Sequence, residues 1–111
     1  MAREYTLRMT EHGISRWRYR ELKAICMQYE EYCRTEYLHY GDPEQEKRRK
    51  HLCVRKRAIE RAAEETDPAL AGYIIRHVSR GVNFERLGIP CGKNQFSQLR
   101  RRFFATLDRL V

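Results

Sequence analysis

Three prolines punctuate the chain, at positions 43, 68 and 90, and two of them directly follow an aspartate. Proline has no backbone N–H and a fixed φ, so it disrupts a helix interior but suits the first helical turn. Aspartate is a good side-chain acceptor for the N–H groups that turn leaves open. Gly41-Asp42-Pro43 and Asp67-Pro68 therefore read as two stop-and-restart points, and Gly88-Ile89-Pro90-Cys91-Gly92 as a turn. Between them, apolar residues recur at spacings of three and four, the helical period. Only six glycines and three prolines among 111 residues argue against a turn-rich β architecture. The chain is predicted to be all-α.

Residues 1–13 have weak periodicity and end in Gly13, as a loose N-terminal arm would. Ser15 is the expected cap of a helix from Arg16 to about Tyr40. Its stripe is Tyr19, Leu22, Cys26, Tyr29 and Cys33, with Ile14 placed to staple against Tyr19. Asp42 and Pro43 open a second helix that ends near Thr66, with Gln45 completing a box-like cap. Leu52, Ile59, Ala62 and Ala63 form its apolar stripe, whereas Glu44 to His51 are all polar, and the order of residues 41–52 stays open. Residues 69–80, carrying Leu70, Ala71, Ile74, Ile75 and Val78, form a third helix stopped by Gly81. Asn83 precedes a very short helix, Phe84 to Leu87, and a last helix runs from Lys93 to about Leu110. The architecture this implies is an N-terminal helical hairpin (14–66) packed on a C-terminal three-helix helix-turn-helix unit (67–111), within one domain spanning 1–111.

The net charge is +8, and it is unevenly spread. Residues 44–57 hold seven basic residues against two acidic, and residues 81–111 hold six against two. Two positive clusters point to a polyanionic partner. Lys47, Arg48, Arg49, Lys50, Arg55, Lys56 and Arg57 are candidate phosphate contacts; a solvated helix face is the competing reading. No run approaches the eighteen apolar residues of a membrane span, and the first residues lack the apolar centre of a signal peptide. A cytoplasmic protein of a bacterial host that does not enter membranes is expected. The four cysteines form no Cys-x-x-Cys pair, which leaves free thiols and neither metal nor cofactor. No side chain is placed to activate a nucleophile, so no catalytic residue and no enzyme activity are expected.

On the last helix, Phe96, Leu99, Phe103, Leu107 and Leu110 share one stripe. The opposite face holds Asn94, Ser97, Gln98 and Arg101, flanked by Arg102 and Arg109, with Lys93 and Gln95 at the start. Arg100 lies at the apolar edge, where its stem packs and its head snorkels. Arginine bonds guanine O6 and N7 in pairs, and asparagine or glutamine does the same for adenine N6 and N7. A short helix, a tight turn and such a helix make a helix-turn-helix. Short helix, turn and long helix is also a generic way to close a bundle. The aromatic N-terminal part has two readings as well. Tyr19, Tyr29, Tyr32, Tyr37 and Tyr40, with Trp17, Arg16, Arg18 and Arg20, suit single-strand stacking. Alternatively Tyr19 and Tyr29 are core, and Tyr32, Tyr37 and Tyr40 cover the hairpin or a dimer seam.

Several runs resemble one family. They are Ile59-Glu60-Arg61-Ala62-Ala63, Asp67-Pro68, Tyr73-Ile74-Ile75, Gly81-Val82-Asn83-Phe84-Glu85-Arg86-Leu87, Ile89-Pro90-Cys91-Gly92-Lys93-Asn94-Gln95-Phe96 and Arg101-Arg102-Phe103-Phe104. Tyr19-Arg20-Glu21-Leu22-Lys23 and Cys26-Met27-Gln28-Tyr29 join them. Together they resemble small prophage-encoded proteins of Gram-positive bacteria, similar to phage transcriptional regulators of the RinA and ArpU type. Residues 35–56 have no counterpart in the likeness. The resemblance implies a sigma-factor-like C-terminal helix-turn-helix, with DNA contacts from Lys93, Asn94, Gln95, Ser97, Gln98 and Arg101. Pro90-Cys91-Gly92 replaces the usual capping Ser or Thr, which leaves the helix start, and the residue that leads into the groove, open by a residue or two. A phage regulator reading double-stranded DNA is therefore expected, with Arg102 beside the reading face. RNA polymerase or another host protein, and a homodimer, are its candidate partners. The alternative is a phage inhibitor or adaptor, such as an anti-CRISPR protein, that binds a host protein or ribonucleoprotein.

Overall fold

The computed structural model describes Met9, residues 12–36 and residues 41–111. Its described residues form six helices and no strand: α1 (Arg16–Met27), α2 (Tyr29–Glu36), α3 (Pro43–Thr66), α4 (Ala71–Arg80), α5 (Phe84–Leu87) and α6 (Lys93–Leu110). The fold is all-α, and the ends of α3, α5 and α6 fall where the proline, cap and glycine signals put them. Asp42 accepts from the Glu44 N–H at 3.0 Å and Pro43 occupies the first turn, so the polar stretch 44–51 is helical from its start. Asp67 caps a turn rather than a helix: its Oδ1 accepts from the N–H groups of Ala69 and Leu70, and α4 begins only at Ala71. Gly81 and Gly88 close α4 and α5 at φ 68° and 66°, in the left-handed region where a side chain is disfavoured.

The first helix departs from its expected length. It breaks at Gln28, whose N–H turns back to Ile25 O at 3.2 Å while its own carbonyl starts the ladder of α2. In an unbroken helix Tyr32 would lie about 80° from Leu22, 120° from Cys26 and 140° from Tyr19, at the edge of their stripe. The step lets α2 turn Tyr32 and Thr35 inward, and Tyr32 is fully buried. Burial thus passes to Tyr32 and Thr35, while Tyr29 and Cys33 stay half-buried. Tyr32 is core rather than cover, and Tyr37 and Tyr40 lie outside the described residues. The arm ahead of α1 is not all loose, since Met9 is buried in the core and accepts from the Ile14 N–H.

The hairpin consists of α2 and α3. Tyr29 donates to Glu60 at 2.6 Å, and Lys56 pairs with Glu36 at 2.9 Å, which fixes the two helices antiparallel. α1 packs instead on α4 and α6. Tyr19 meets the Phe104 ring edge-on at 5.1 Å, and Arg18 holds Asp108 at 2.6 Å. Ala58, Ile59, Ala62 and Ala63 give the C-terminal half of α3 an apolar face, on which α4 and α6 close. One hydrophobic cluster joins all of these elements, from Met9 to Leu107. The long axis of the molecule is 48 Å against 29 and 23 Å for the others.

Candidate nucleic-acid interface

Phe96 anchors the start of α6. Its ring lies 5.4 Å from that of Phe84 on α5 and 4.9 Å from that of His77 on α4, the latter edge-on. His77 Nδ1 is 2.7 Å from the Val82 carbonyl, so this histidine packs and braces the loop after α4. Leu87 and Ile89 are buried on either side of Gly88. The turn between α5 and α6 is thus pinned at both ends, and Gly92 caps α6 through its backbone alone. Phe104, Leu99 and Phe103 carry the anchoring along α6, with Phe104 an addition to the expected stripe. Leu110 is only half-buried.

This anchoring decides what α6 shows to solvent. Lys93, Asn94, Gln95 and Gln98 are exposed, and Ser97 and Arg101 are half-exposed. Asn94, Gln95, Ser97 and Gln98 bond to no described side chain, so their amides and hydroxyl keep their hydrogen-bonding capacity. Lys93 stands 3.8 Å from Glu85 across the turn, an exposed pair that costs little to open. Arg102 departs from the expected set: its Nη2 donates to the Thr66 carbonyl at 3.2 Å, tying α6 to the end of α3. Arg100 packs at the apolar edge as expected, but its head does not snorkel outward: it lies over the Tyr19 and Phe104 rings and donates to the Tyr19 hydroxyl.

The basic run on α3 divides into two kinds of residue. Arg49 and Lys56 face α2: Arg49 holds Glu46 at 2.7 Å and the Glu36 carbonyl at 3.2 Å, and Lys56 bridges Glu36 and Glu60. Both are raised above their ordinary pKa, Arg49 chiefly by its bond to Glu46 and Lys56 chiefly by its bond to Glu36. These two are structural ties, which corrects their place among the phosphate contacts. Arg55 is half-buried against the Tyr32 phenol, where it opposes the upward push that burial gives that group. Lys47, Arg48, Lys50 and Arg57 are exposed and pair with no described carboxylate. Arg61 extends their spacing by one step and pairs with Glu65 at 2.8 Å; sequence reading missed it, although the three-and-four spacing from Lys50 and Arg57 was the signal.

The stacking platform expected around Trp17 is reduced. Arg18 is committed to Asp108 and to the Val111 carbonyl, while Arg20 lies over the Trp17 ring at 5.0 Å. The four cysteines are free, and the described residues contain no group of three metal-ligating side chains. No described helix is long and apolar enough to cross a membrane. No protein-family model, no curated protein and no solved structure matches the chain. The likeness to phage regulators therefore rests on the residues quoted above.

Proposed function

We propose that this protein is a DNA-binding transcriptional regulator, of the phage type it resembles, that reads duplex DNA with α6. One observation carries the reading. The first three turns of α6 present Asn94, Gln95, Gln98 and Arg101 outward, while Phe96 and Leu99 lock the same turns to the core. Amides and a guanidinium held on a rigid helix are what base-edge readout in the major groove requires. The groove is about 12 Å wide and admits one α-helix. α5 and the turn after it precede α6 in the order a helix-turn-helix requires.

Selection of the purified protein on a random duplex library at near-physiological salt tests the reading. An enriched motif is expected, and N94A/Q98A should lose it while melting at the wild-type temperature. Absence of any enriched motif overturns the reading. A second reading is favoured by a separate feature. Trp17 and Met27 are 71% and 62% exposed on one side of α1, and tryptophan dominates protein-binding hot spots. In that reading the chain binds a host protein through α1. W17A then abolishes partner capture and leaves duplex selection unchanged.

A further inference from the structure

The exposed cations of α3 form a line. Lys47, Lys50, Val54, Arg57 and Arg61 are all exposed, and their three-and-four spacing puts them on one face of the helix. The line ends at Glu65, one turn beyond Arg61. Glu65 shares a shallow surface cleft with Arg102, Ala105 and Arg109 of α6. The C-terminal end of α3 and the second half of α6 therefore adjoin at this cleft. The two helices also overlap along their lengths. Arg102 touches Thr66 at the end of α3, whereas Phe96 lies at His77, one turn before Arg80 on α4. Arg80 pairs with Glu30, the neighbour of Tyr29, which bonds Glu60. The start of α6 thus lies toward the Glu60 level of α3, and α3 continues beyond it to Pro43 for roughly 25 Å.

We infer that Lys47, Lys50 and Arg57 are a track for the backbone phosphates of a duplex whose major groove α6 enters. The inference rests on the reading of α6 given above and extends its footprint along the DNA. Charge sets the class of partner, because the three cations form no ion pair with a described carboxylate, Glu36 acting on Arg57 only at longer range, while their neighbours Arg49 and Lys56 are paired. Length fits as well. Lys47 to Arg57 spans about 15 Å of helix, and phosphates on one strand advance about 3.4 Å each along the duplex axis. The ends of the track can thus reach different phosphates. Phosphate contacts position a protein and carry no sequence information, so the track adds affinity and register without altering the motif.

The test is the salt dependence of binding to the selected duplex and to a random-sequence duplex, for wild type, K47A/K50A/R57A and the charge-keeping K47R/K50R/R57K. Each phosphate neutralised contributes a log–log slope near −0.9. The alanine variant should lose about 2 to 3 from the magnitude of the slope and select the same motif. The charge-keeping variant should retain the wild-type slope, which separates lost charge from a disturbed helix. Equal slopes for wild type and the alanine variant overturn the track, even where the motif stands. A wild type that selects no motif overturns the reading of α6 instead, and the slopes on the random duplex still decide the track.

Discussion

At the residue scale, neighbouring arginines on α6 have different employment. Arg101 is half-exposed on the outer face, whereas Arg102 reaches back to the Thr66 carbonyl at 3.2 Å. Arg101→Ala is expected to cost about 1–3 kcal/mol of duplex binding and to relax preference at one base position. Arg102→Ala is expected to remove about 1 kcal/mol of folding stability by losing one hydrogen bond; comparing binding and urea unfolding of both variants checks the division. The same contrast holds on α3, where Lys56 is a tie. Glu36 is held below the usual carboxylate range, first by its bond to Lys56, and Lys56 is held above the usual amine range by that bond. A lowered carboxylate stabilises the fold above its unfolded value of about 4.3, and this is lost as pH falls through the lower folded value. A raised amine stabilises it below its unfolded value of about 10.4, and this is lost as pH rises through the higher folded value. Lys56→Met should therefore lower the melting temperature most between about pH 5 and 10, with the gap to wild type narrowing on the acid side near pH 3. A gap that does not change with pH would show that Lys56 acts through packing alone.

At the scale of elements, the legible parts were those punctuated by local chemistry. Pro43 with Asp42, Gly81, Gly88 and the Phe96–Leu99–Phe103 stripe each act within a turn or two of chain, so their consequences can be read from adjacent letters. The break at Gln28 has no such marker. It arises because α2 must aim Tyr32 at α3 while α1 aims Tyr19 at Phe104, and the two targets lie far away in sequence. The same cause hid the split among the α3 cations, since only the fold reveals that Glu36 faces Lys56 and leaves Lys50 alone. The outward face of α6 was legible because helical period alone sets it, whereas the bond made by Arg102 was not, because its partner is a backbone carbonyl on another helix. The α5–α6 turn tests the local part of this argument. Gly88 holds φ 66°, and a Cβ built there meets nothing within 4 Å. Gly88→Ala should then destabilise through backbone conformation alone, by roughly 1–2 kcal/mol in urea titration. Asn, which tolerates the left-handed region better, should recover part of the loss.

At the scale of the whole molecule, the two halves of α3 are held by different forces. Ala58, Ile59, Ala62 and Ala63 are buried against the main cluster, whereas residues 43–57 bury only Cys53 and otherwise lean on α2 through Arg49, Lys56 and their carboxylates. Segments with few buried apolar contacts open at lower free energy than the core they adjoin. Two cysteines report on this division. Cys53 lies in the outer half of α3, its Sγ 3.9 Å from Arg49. Cys26 is wholly enclosed in the main cluster, where burial pushes its thiol up to about 12 despite the nearby Arg100. Since the thiolate is the reacting form, Cys26 has almost none available at pH 8 until its surroundings come apart. Thiol labelling of the native protein should thus proceed at Cys53 with little dependence on urea, through opening of α2 from the outer half of α3. Labelling at Cys26 should rise with urea at the full slope of global unfolding, because that slope scales with the surface exposed. A duplex bound along Lys47, Lys50 and Arg57 would raise the free energy of the first opening by linkage, slowing Cys53. Equal urea dependence at both cysteines would instead mean that α3 opens as one unit, with the ion pairs of its outer half coupled to the alanine-lined core.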